Sequence, residues 1–253
     1  MDAHALADAL VAARRHRAAL RAAEWTAALH DAGDAYDVQD AVARQLGWFD
    51  GAPPRHWKSG GLARDAALTH APLPPAGVRT SPARLHDLHF HAPGIEAEIA
   101  LRLGSDVTAA RAAALRHDDA AALVAEMMVS IEVVDSRWLE GSAAPALLRL
   151  ADQQSHGALV LGEPVPWRHV DWAGVRCSVT VGAQPPVVRT GTHALGDPAW
   201  LLPIWLRHAT RHGDVVPAGT VVTTGTWAGV VPATQSDAVE VAFEGIGRAT
   251  LAL

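Results

Sequence analysis

The sequence predicts an α+β protein in which a small helical region precedes a larger β-rich domain. Residues 3–46 are rich in alanine and carry leucines among basic residues, which is the pattern of amphipathic helices. Most segments of strand composition lie after residue 94, and few helical segments interrupt them. We therefore expect residues 1–60 to form the helical region and residues 61–253 to form the β-rich domain.

In the helical region, residues 3–31 predict one or two helices, and Gly33 interrupts their pattern. Asp34 is a suitable N-cap for a further helix from about Tyr36 to Leu46. Gly47 would end that helix.

Beyond the helical region, residues 55–61 predict an extended segment and a turn, and five prolines make residues 65–94 loops with short edge strands. An alanine-rich stretch capped by Asp106 or Thr108 predicts a helix that reaches about Met127. Two further helices are expected at about 145–150 and 200–208. The expected strands are 94–104, 128–134, 158–161, 175–181, 187–189, 220–224, 239–243 and 248–253.

The composition excludes several classes of protein. With 253 residues, 49% hydrophobic and 19% charged, the chain is globular rather than disordered, and a net charge of −6 argues against a general nucleic-acid binder. The single cysteine, Cys177, excludes an intrachain disulfide and a thiolate zinc site, and we expect it to be buried. The sequence has no apolar run of about 20 residues and no signal-peptide pattern, so we expect a cytoplasmic protein without a membrane partner.

The strand Gly94–Gly104 carries the first candidate site. Apolar and charged residues alternate from Ile95, which places Glu96 and Glu98 on one face with Cα atoms roughly 6–7 Å apart. Two carboxylates this close repel each other unless a cation lies between them, and Mg²⁺ and Mn²⁺ prefer oxygen ligands. A solvated strand face is the ordinary alternative for a bare Glu-x-Glu pair.

Glu132 is a candidate third ligand. It lies alone inside the apolar run 128–134, where an unpaired carboxylate is costly. A salt bridge to Arg137 or to another arginine is the competing interpretation. His86, His89 and His91 also cluster, but solvent-exposed loop histidines are the more common outcome.

Lys58 is the only lysine among 21 basic side chains. Where arginine replaces lysine almost everywhere, a remaining lysine indicates a site that needs a compact ammonium with a tunable pKa. Chance survival on the surface is the alternative.

Six motifs follow one another along the chain: Ala35-Tyr36-Asp37-Val38-Gln39, Trp57-Lys58-Ser59-Gly60, Glu96-Ala97-Glu98-Ile99-Ala100, Ile131-Glu132-Val133-Val134-Asp135-Ser136-Arg137, Leu195-Gly196-Asp197-Pro198-Ala199-Trp200 and Thr223-Thr224-Gly225-Thr226. In this order they resemble the 2-keto-4-pentenoate hydratases of the fumarylacetoacetate hydrolase superfamily. The chain departs from the family's Asp-Asn-x-Ser pattern, which reads Asp152-Gln153-Gln154-Ser155 here.

The resemblance implies a mixed β-roll, as in the C-terminal domain of that superfamily, beside a small N-terminal helical region. It implies that residues 61–253 are catalytic, that Glu96, Glu98 and Glu132 hold Mg²⁺ or Mn²⁺, and that Lys58 is the active-site lysine. Thr226 would contact the substrate's carboxylate, and Gly225 and Leu195 are further substrate-binding candidates. Asp152 and Ser155 are candidate catalytic residues that would order water. We also expect a homo-oligomer.

The activity that the resemblance implies is hydration of a 2-hydroxy-2,4-dienoate to a 4-hydroxy-2-oxo acid, as in meta-cleavage degradation of aromatic compounds. Lys58 would relay the tautomerisation proton or hold the carboxylate, if burial beside the cation lowers its pKa. Decarboxylation of a 2-keto-3-enedioate uses the same chemistry. Hydrolytic cleavage of an acylpyruvate is a third outcome, in which His56 or His30 would pair with a glutamate. A non-catalytic partner of a related enzyme is the alternative outside catalysis.

Overall fold

The computed structural model describes residues 2–253. The first helix, α1 (Ala3–His16), starts at the N-cap Asp2 and ends where Arg17 adopts a left-handed conformation. The second helix, α2 (Ala32–Gln45), starts earlier than the sequence predicts. Its N-cap is Asp31 rather than Asp34, because the Asp31 carboxylate accepts the N–H of Asp34 while the Asp34 carboxylate accepts the N–H of His30. Gly33 lies inside its first turn.

The remaining chain folds into fourteen strands and four short helices, as the α+β prediction requires. The strands are β1 (His56–Gly60), β2 (Thr69–Pro72), β3 (Val78–Thr80), β4 (Ala83–Arg84), β5 (Gly94–Leu103), β6 (Val124–Val134), β7 (His156–Leu161), β8 (Val165–Pro166), β9 (Arg176–Val181), β10 (Val187–Thr190), β11 (Val221–Thr223), β12 (Val231–Pro232), β13 (Ala238–Phe243) and β14 (Gly247–Ala252). The helices are α3 (Ala109–Ala114), α4 (His117–Ala120), α5 (Ala146–Ala151) and α6 (Leu202–Ala209).

The predicted long helix up to Met127 is wrong. Thr108 caps α3 as expected, but α3 and α4 are short, and a 3₁₀ turn leads into β6 at Val124. Pairing with β5 overrides the helix propensity of the alanines, since Met127 lies opposite Leu101 in the antiparallel ladder.

The strands form two sheets. The larger sheet has the order β2-β1-β11-β5-β6-β7-β3, and β12 and β8 pair with β5 and β6 outside that path. The smaller sheet has the order β10-β9-β13-β14-β4. Parallel and antiparallel pairs both occur in each sheet, so the architecture is mixed.

The larger sheet is curled. Its two central strands bury both faces: alternate residues such as Ile99 and Ile131 pack in the main core with the smaller sheet. The opposite face contributes Ala100, Met128 and Val221 to a separate small apolar cluster, completed by Leu73, Leu159 and Leu161. The same face carries Glu98 two residues before Ala100 on β5, and Glu132 four residues after Met128 on β6. The concave side of the sheet therefore has an apolar floor below a polar layer.

A second hydrophobic core joins α1 and α2 to α5. Leu6, Leu10 and Val38 pack there against Trp138 and Leu148. The N-terminal helices thus rest on the segment that connects β6 to β7, beside the concave side of the sheet. The division at residue 60 stays a prediction.

Two smaller expectations are confirmed. Cys177 is fully buried, and burial raises the pKa of its thiol to about 12. His86, His89 and His91 are exposed. Within residues 2–253, none of the helices is both long and apolar enough to cross a membrane.

Candidate metal centre

Three glutamates meet in the concave side of the curled sheet. Glu96 and Glu98 share a face of β5, and Glu132 lies directly opposite Glu96 on β6. One carboxylate oxygen from each lies within 4.8 Å of the others. Among the described residues, this is the one group of three or more His, Cys, Asp or Glu side chains arranged closely enough to hold a metal ion. The period-two alternation in each strand and the register between the strands produce the cluster.

The cluster is buried and short of positive charge. Glu98 and Glu132 are 2% and 0% exposed. Burial, followed by the repulsion of Glu132, raises the pKa of Glu98 to about 8. Burial also raises the pKa of Glu96 to about 7, although Lys58 opposes this shift. Because both carboxyl groups have raised pKa values, a divalent cation bound beside them would stabilise their ionised forms.

Lys58 supplies the one positive charge that touches the cluster. Its Nζ donates to Glu132 Oε1 at 2.6 Å and to the carbonyl oxygen of Gln154 at 3.2 Å. Burial alone would lower the pKa of Lys58, but Glu132, Glu96 and Glu98 together raise it. The predicted lowering of the Lys58 pKa is therefore not found with these carboxylates as the neighbours of the ammonium. Lys58 is therefore a protonated ammonium in this environment.

Glu132 is held as an anion. Burial opposes its charge, but Lys58 and His156 outweigh burial and lower its pKa. His156 Nδ1 lies 3.0 Å from Glu132 Oε1. Since that oxygen belongs to an ionised carboxylate, Nδ1 carries the hydrogen and Nε2 does not. The predicted alternative, a salt bridge from Glu132 to Arg137, is wrong, because Arg137 pairs with Asp152 at 2.6 Å.

Glu98 is held by neutral donors. Its Oε2 accepts the hydroxyl of Thr223 and, at 2.9 Å, the N–H of Gly225. The Thr223 hydroxyl also lies 3.0 Å from the hydroxyl of Ser130. These contacts fix the orientation of the Glu98 carboxylate and leave its other oxygen available.

The residues present fit a hard divalent cation. Glu132 Oε2 is buried and has no hydrogen-bond partner among the described residues, although a buried carboxylate oxygen ordinarily has one. All candidate ligands are carboxylate oxygens, the donors that Mg²⁺ and Mn²⁺ select. Glu96, Glu98 and Glu132 are therefore the residues that could hold such an ion.

The segment after α5 forms a left-handed turn beside Lys58. Gln153, Gln154 and Ser155 have φ values of 47°, 54° and 60°. Three successive non-glycine residues in this region are unusual, and such strain concentrates at functional sites. The turn directs the Gln154 carbonyl at Lys58, while the Gln154 side-chain oxygen accepts the hydroxyl of Thr69 at 3.0 Å.

Asp152 anchors this turn. Its Oδ1 accepts from Arg137 Nε at 2.6 Å and from Arg14 Nη2 at 2.9 Å, and its Oδ2 accepts the N–H of Arg137. The Ser155 carbonyl accepts the N–H of Asp135, and its side chain makes no hydrogen bond within the described residues. The structure thus engages Asp152 with arginines rather than with the glutamates. The water-ordering roles of Asp152 and Ser155 stay predictions.

The predicted substrate-binding residues differ in whether they contact the glutamate cluster. Gly225 contacts Glu98 directly. Thr226, the next residue, donates its hydroxyl to the carbonyl of Gly229 at 3.0 Å. Leu195 is buried in the main core, and its carbonyl accepts from Arg64 Nε. His193 Nε2 lies 2.9 Å from the carbonyl oxygen of Thr224, which ties the Leu195 segment to the end of β11.

Sequence reasoning missed four contacts with the candidate site: His156 on Glu132, Thr223 on Glu98, Ser130 on Thr223 and Gln154 on Lys58. One was accessible, since Ser130 precedes Glu132 by two residues and must share its face. The others depend on how distant segments converge, which local patterns do not encode.

A curled mixed sheet with three clustered carboxylates and a lysine is an α+β arrangement that could hold a cation. Residues 52–252 match the family described as fumarylacetoacetate (FAA) hydrolase C-terminal. The chain belongs to that family, and the predicted family fold is confirmed.

Relatives in sequence cover part of the chain. The 2-keto-4-pentenoate hydratase 1 of Dechloromonas aromatica (strain RCB) is 32% identical over 158 residues, which are 62% of this chain and 58% of that protein. A 2-keto-4-pentenoate hydratase of Burkholderia vietnamiensis (strain G4 / LMG 22486) is 36% identical over 138 residues, which are 51% of this chain and 50% of that protein. The similarity thus spans between half and about three fifths of the length of these relatives.

A solved structure matches nearly the whole fold. The 4-oxalocrotonate decarboxylase from Pseudomonas putida G7, complexed with magnesium and adipate, has a TM-score of 0.82 and 20% identity, covering 99% of this chain and 96% of that chain. The 5-carboxymethyl-2-hydroxymuconate delta-isomerase from Mycobacterium smegmatis has a TM-score of 0.58 and 18% identity over 79% of this chain and 78% of that chain.

Proposed function

We propose that this protein is a metal-dependent hydro-lyase of meta-cleavage aromatic catabolism. It adds water to a 2-hydroxy-2,4-dienoate, through its 2-oxo tautomer, to give a 4-hydroxy-2-oxo acid. The observation that carries the proposal is the buried cluster of Glu96, Glu98 and Glu132 with Lys58 bonded to it. The curated hydratases that match the chain support the choice of reaction.

Glu96, Glu98 and Glu132 hold Mg²⁺ or Mn²⁺ in this proposal. The orphaned Glu132 Oε2 and the raised pKa values of Glu96 and Glu98 support this assignment. The bound ion supplies Lewis acidity, which polarises the oxygens of a 2-oxo acid and stabilises negative charge that develops on them.

Lys58 handles the tautomerisation proton. Two of its three N–H groups are engaged, by Glu132 and by the Gln154 carbonyl, which leaves one N–H for the substrate. The ammonium delivers a proton to the terminal carbon of the dienol, and the resulting Lys58 amine takes up the proton that the enol hydroxyl releases, which restores the ammonium. The product is a conjugated 2-oxo-3-enoate, to which water adds at C4 with a proton at C3.

The concave position of the site keeps bulk water away from the reacting carbons. The apolar floor formed by Leu73, Leu159 and Leu161 closes one side. Gly225 and Thr226 follow the end of β11, and in this proposal they contact the substrate's carboxylate together with Leu195. Exclusion of water strengthens the electrostatic interactions of Lys58 with the developing charge.

Decarboxylation of a 2-keto-3-enedioate is the second candidate. The fold neighbour with a TM-score of 0.82 is a decarboxylase complexed with magnesium and adipate. For the hydrolase outcome, the described residues offer no histidine–glutamate pair at the predicted positions: His30 is exposed, and neither it nor the half-buried His56 hydrogen-bonds a glutamate.

The deciding experiment follows the ultraviolet absorbance of 2-hydroxypenta-2,4-dienoate after addition of purified protein, with Mg²⁺ or Mn²⁺ and with chelator. We expect metal-dependent loss of absorbance, with 4-hydroxy-2-oxopentanoate as the product. Glu132→Gln should abolish the reaction, and Glu126→Gln on the same strand should retain it. Absence of loss with both ions, combined with carbon dioxide release from a 2-keto-3-enedioate, would assign the second candidate.

A further inference from the structure

The last turn of α1 contacts the left-handed turn that lies beside Lys58. Arg14 Nη2 donates to Asp152 Oδ1 at 2.9 Å and to Gln153 Oε1 at 2.7 Å. The next residue, Gln154, accepts a hydrogen bond from Lys58 Nζ at its carbonyl oxygen, at 3.2 Å. We propose that Arg14 acts through this turn as a positioning residue for Lys58. The inference rests on the proposed function, in which Lys58 is the proton donor.

Arg14 continues the apolar stripe of α1. Leu6 and Leu10 precede it at spacings of four residues, so the three side chains lie on one face of the helix. The two leucines pack in the second hydrophobic core, and the Arg14 guanidinium lies over the Trp48 ring, 5.2 Å from its centroid. Only 15% of the Arg14 side chain is exposed. The helix and the indole therefore fix the guanidinium in place, and its charge-assisted bonds to the turn have a defined geometry.

The side chain of Gln153 depends on Arg14 for its orientation. Gln153 is fully buried, and its amide nitrogen has no hydrogen-bond partner among the described residues. Within residues 2–253, its side chain makes one hydrogen bond, and Arg14 is the donor. The asparagine of the Asp-Asn-x-Ser pattern is one methylene group shorter than the glutamine found here. We therefore expect an asparagine at this position to leave its amide oxygen short of the guanidinium.

The turn needs such contacts because its backbone conformation is unfavourable. Three successive residues have φ values of 47°, 54° and 60°, namely Gln153, Gln154 and Ser155. Non-glycine residues keep this conformation only where the surrounding structure holds them. Arg137 holds Asp152, which precedes the three residues, and Arg14 is the side chain that holds the first of them. Loss of the Arg14 contact should therefore loosen the turn where it approaches Lys58.

Arg14 is not needed to neutralise Asp152. Arg137 donates to the same carboxylate, from Nε to Oδ1 at 2.6 Å and from its backbone N–H to Oδ2 at 3.0 Å. Arg14→Met therefore leaves no unpaired buried charge, and the methionine side chain can still pack on the Trp48 ring. We expect this variant to fold, so it separates positioning of the turn from stability of the helical region.

The first test uses the fact that Lys58 is the only lysine in the sequence. Protein labelled with ¹³C-lysine gives one set of lysine side-chain signals in nuclear magnetic resonance, and these signals report the surroundings of Lys58 without an enzymatic assay. In chelator-treated protein, Arg14→Met should shift them, because the Gln154 carbonyl moves relative to Nζ. Gln153→Asn keeps the amide group but shortens the side chain, and it should shift them in the same direction.

The second test is the steady-state kinetics of the dienoate reaction. We expect kcat of Arg14→Met to fall roughly tenfold at a nearly unchanged KM, because a misplaced proton donor affects the transition state rather than substrate binding. The double variant with Gln153→Asn should lose no more than Arg14→Met alone, since both changes remove the same contact. Arg15→Gln is the matched control. Arg15 is an exposed arginine of α1 that donates to the Gln45 carbonyl, so its variant should match the wild type in kcat and in the lysine signals.

Three outcomes would overturn the proposal. The first is unshifted lysine signals in both Arg14→Met and Gln153→Asn. The second is equal shifts in Arg14→Met and Arg15→Gln, and the third is additive losses of kcat in the double variant. If the wild-type protein does not turn over the dienoate, the proposed function fails, and the lysine signals still decide whether Arg14 positions Lys58.

Discussion

Lys58 Nζ and Glu132 Oε1 lie 2.6 Å apart although their strands are not neighbours. In the larger sheet, β11 and β5 separate β1 from β6. Three strand spacings in a flat sheet amount to about 14 Å, so this contact exists only because the sheet curls. The curl brings the ammonium from one wall of the concavity to the carboxylate on the other, and it places both beside Glu96 and Glu98.

The first prediction concerns Lys58→Met. We expect turnover of the dienoate to fall by roughly 10²–10⁴, because the variant loses a positioned proton donor. We expect Mn²⁺ binding to persist, since all three carboxylates remain. The two measurements are the dienoate assay and a Mn²⁺ titration on the same preparation. Removing one partner of a buried ion pair should also lower the free energy of unfolding of the metal-free protein by about 3–5 kcal/mol.

Lys58→Arg is the matched control for charge. A planar guanidinium retains the positive charge, but it does not reproduce the compact geometry that places one ammonium between Glu132 and the Gln154 carbonyl. We expect it to restore stability more than turnover. Wild-type turnover in this variant would show that charge alone is needed and that the proton-donor role is wrong.

The second prediction concerns the metal ligands. Glu132→Gln should weaken Mn²⁺ binding by more than the roughly 10–100-fold that loss of an outer-shell partner costs. Glu126→Gln is the control, because Glu126 lies on the same strand but pairs with Arg102 at the surface. Electron paramagnetic resonance of free Mn²⁺ measures both. Equal affinities in the two variants would remove Glu132 from the ligand set.

Sequence patterns were sufficient to predict the three glutamates, because their signals lie within single strands. Alternation in one strand places Glu96 and Glu98 together, and burial of a lone carboxylate singles out Glu132. The contacts of Thr223 and His156 could not be found in this way, because they depend on which strands pair: Thr223 lies on β11 beside β5, and His156 lies on β7 beside β6. Thr223 reaches Glu98 across 125 positions in the chain.

The errors in the fold have a related origin. The alanine-rich stretch before Met127 favours a helix locally, but the register with β5 makes its end a strand. At α2, two acidic residues three positions apart both suit an N-cap. The choice is decided by two bonds, from the Asp34 N–H to the Asp31 carboxylate and from the His30 N–H to the Asp34 carboxylate. Local propensity predicts which helices and strands form, whereas tertiary contacts determine the residues at which they end.

The third prediction concerns Thr223, which positions Glu98. Thr223→Val removes the hydroxyl that donates to Glu98 Oε2 and leaves only the Gly225 N–H on that oxygen. We expect Mn²⁺ affinity to fall roughly 10–100-fold, as for other partners that orient a metal ligand. Thr223→Ser retains the hydroxyl and should stay near the wild type. If the valine variant binds Mn²⁺ as tightly as the serine variant, Glu98 needs no such orientation.

The last prediction concerns pH and two neighbouring histidines next to β1, the buried His70 and the half-buried His208. Burial, followed by the charge of Arg211, lowers the pKa of His70 to about 3, and burial followed by His70 lowers that of His208 to about 2. Their rings lie 4.7 Å apart, and His70 Nδ1 bonds the Ser59 hydroxyl. As the pH falls below about 6.5, these two histidines bind protons in the unfolded chain but not in the folded chain. Stability is therefore complete above about pH 6.5 and falls as the pH drops towards 3.

Replacing His70 isolates its share of this loss. His70→Asn keeps a polar partner for Ser59 and removes one titrating group. The free energy of unfolding, measured in urea from pH 7 to pH 4.5, should therefore fall less steeply than in the wild type, by up to about 1.4 kcal/mol per pH unit. His86→Asn, at an exposed position, controls for histidine loss in general. Identical slopes for His70→Asn and the wild type would show that His70 takes up its proton in the folded protein, which its burial against His208 and Ser59 opposes.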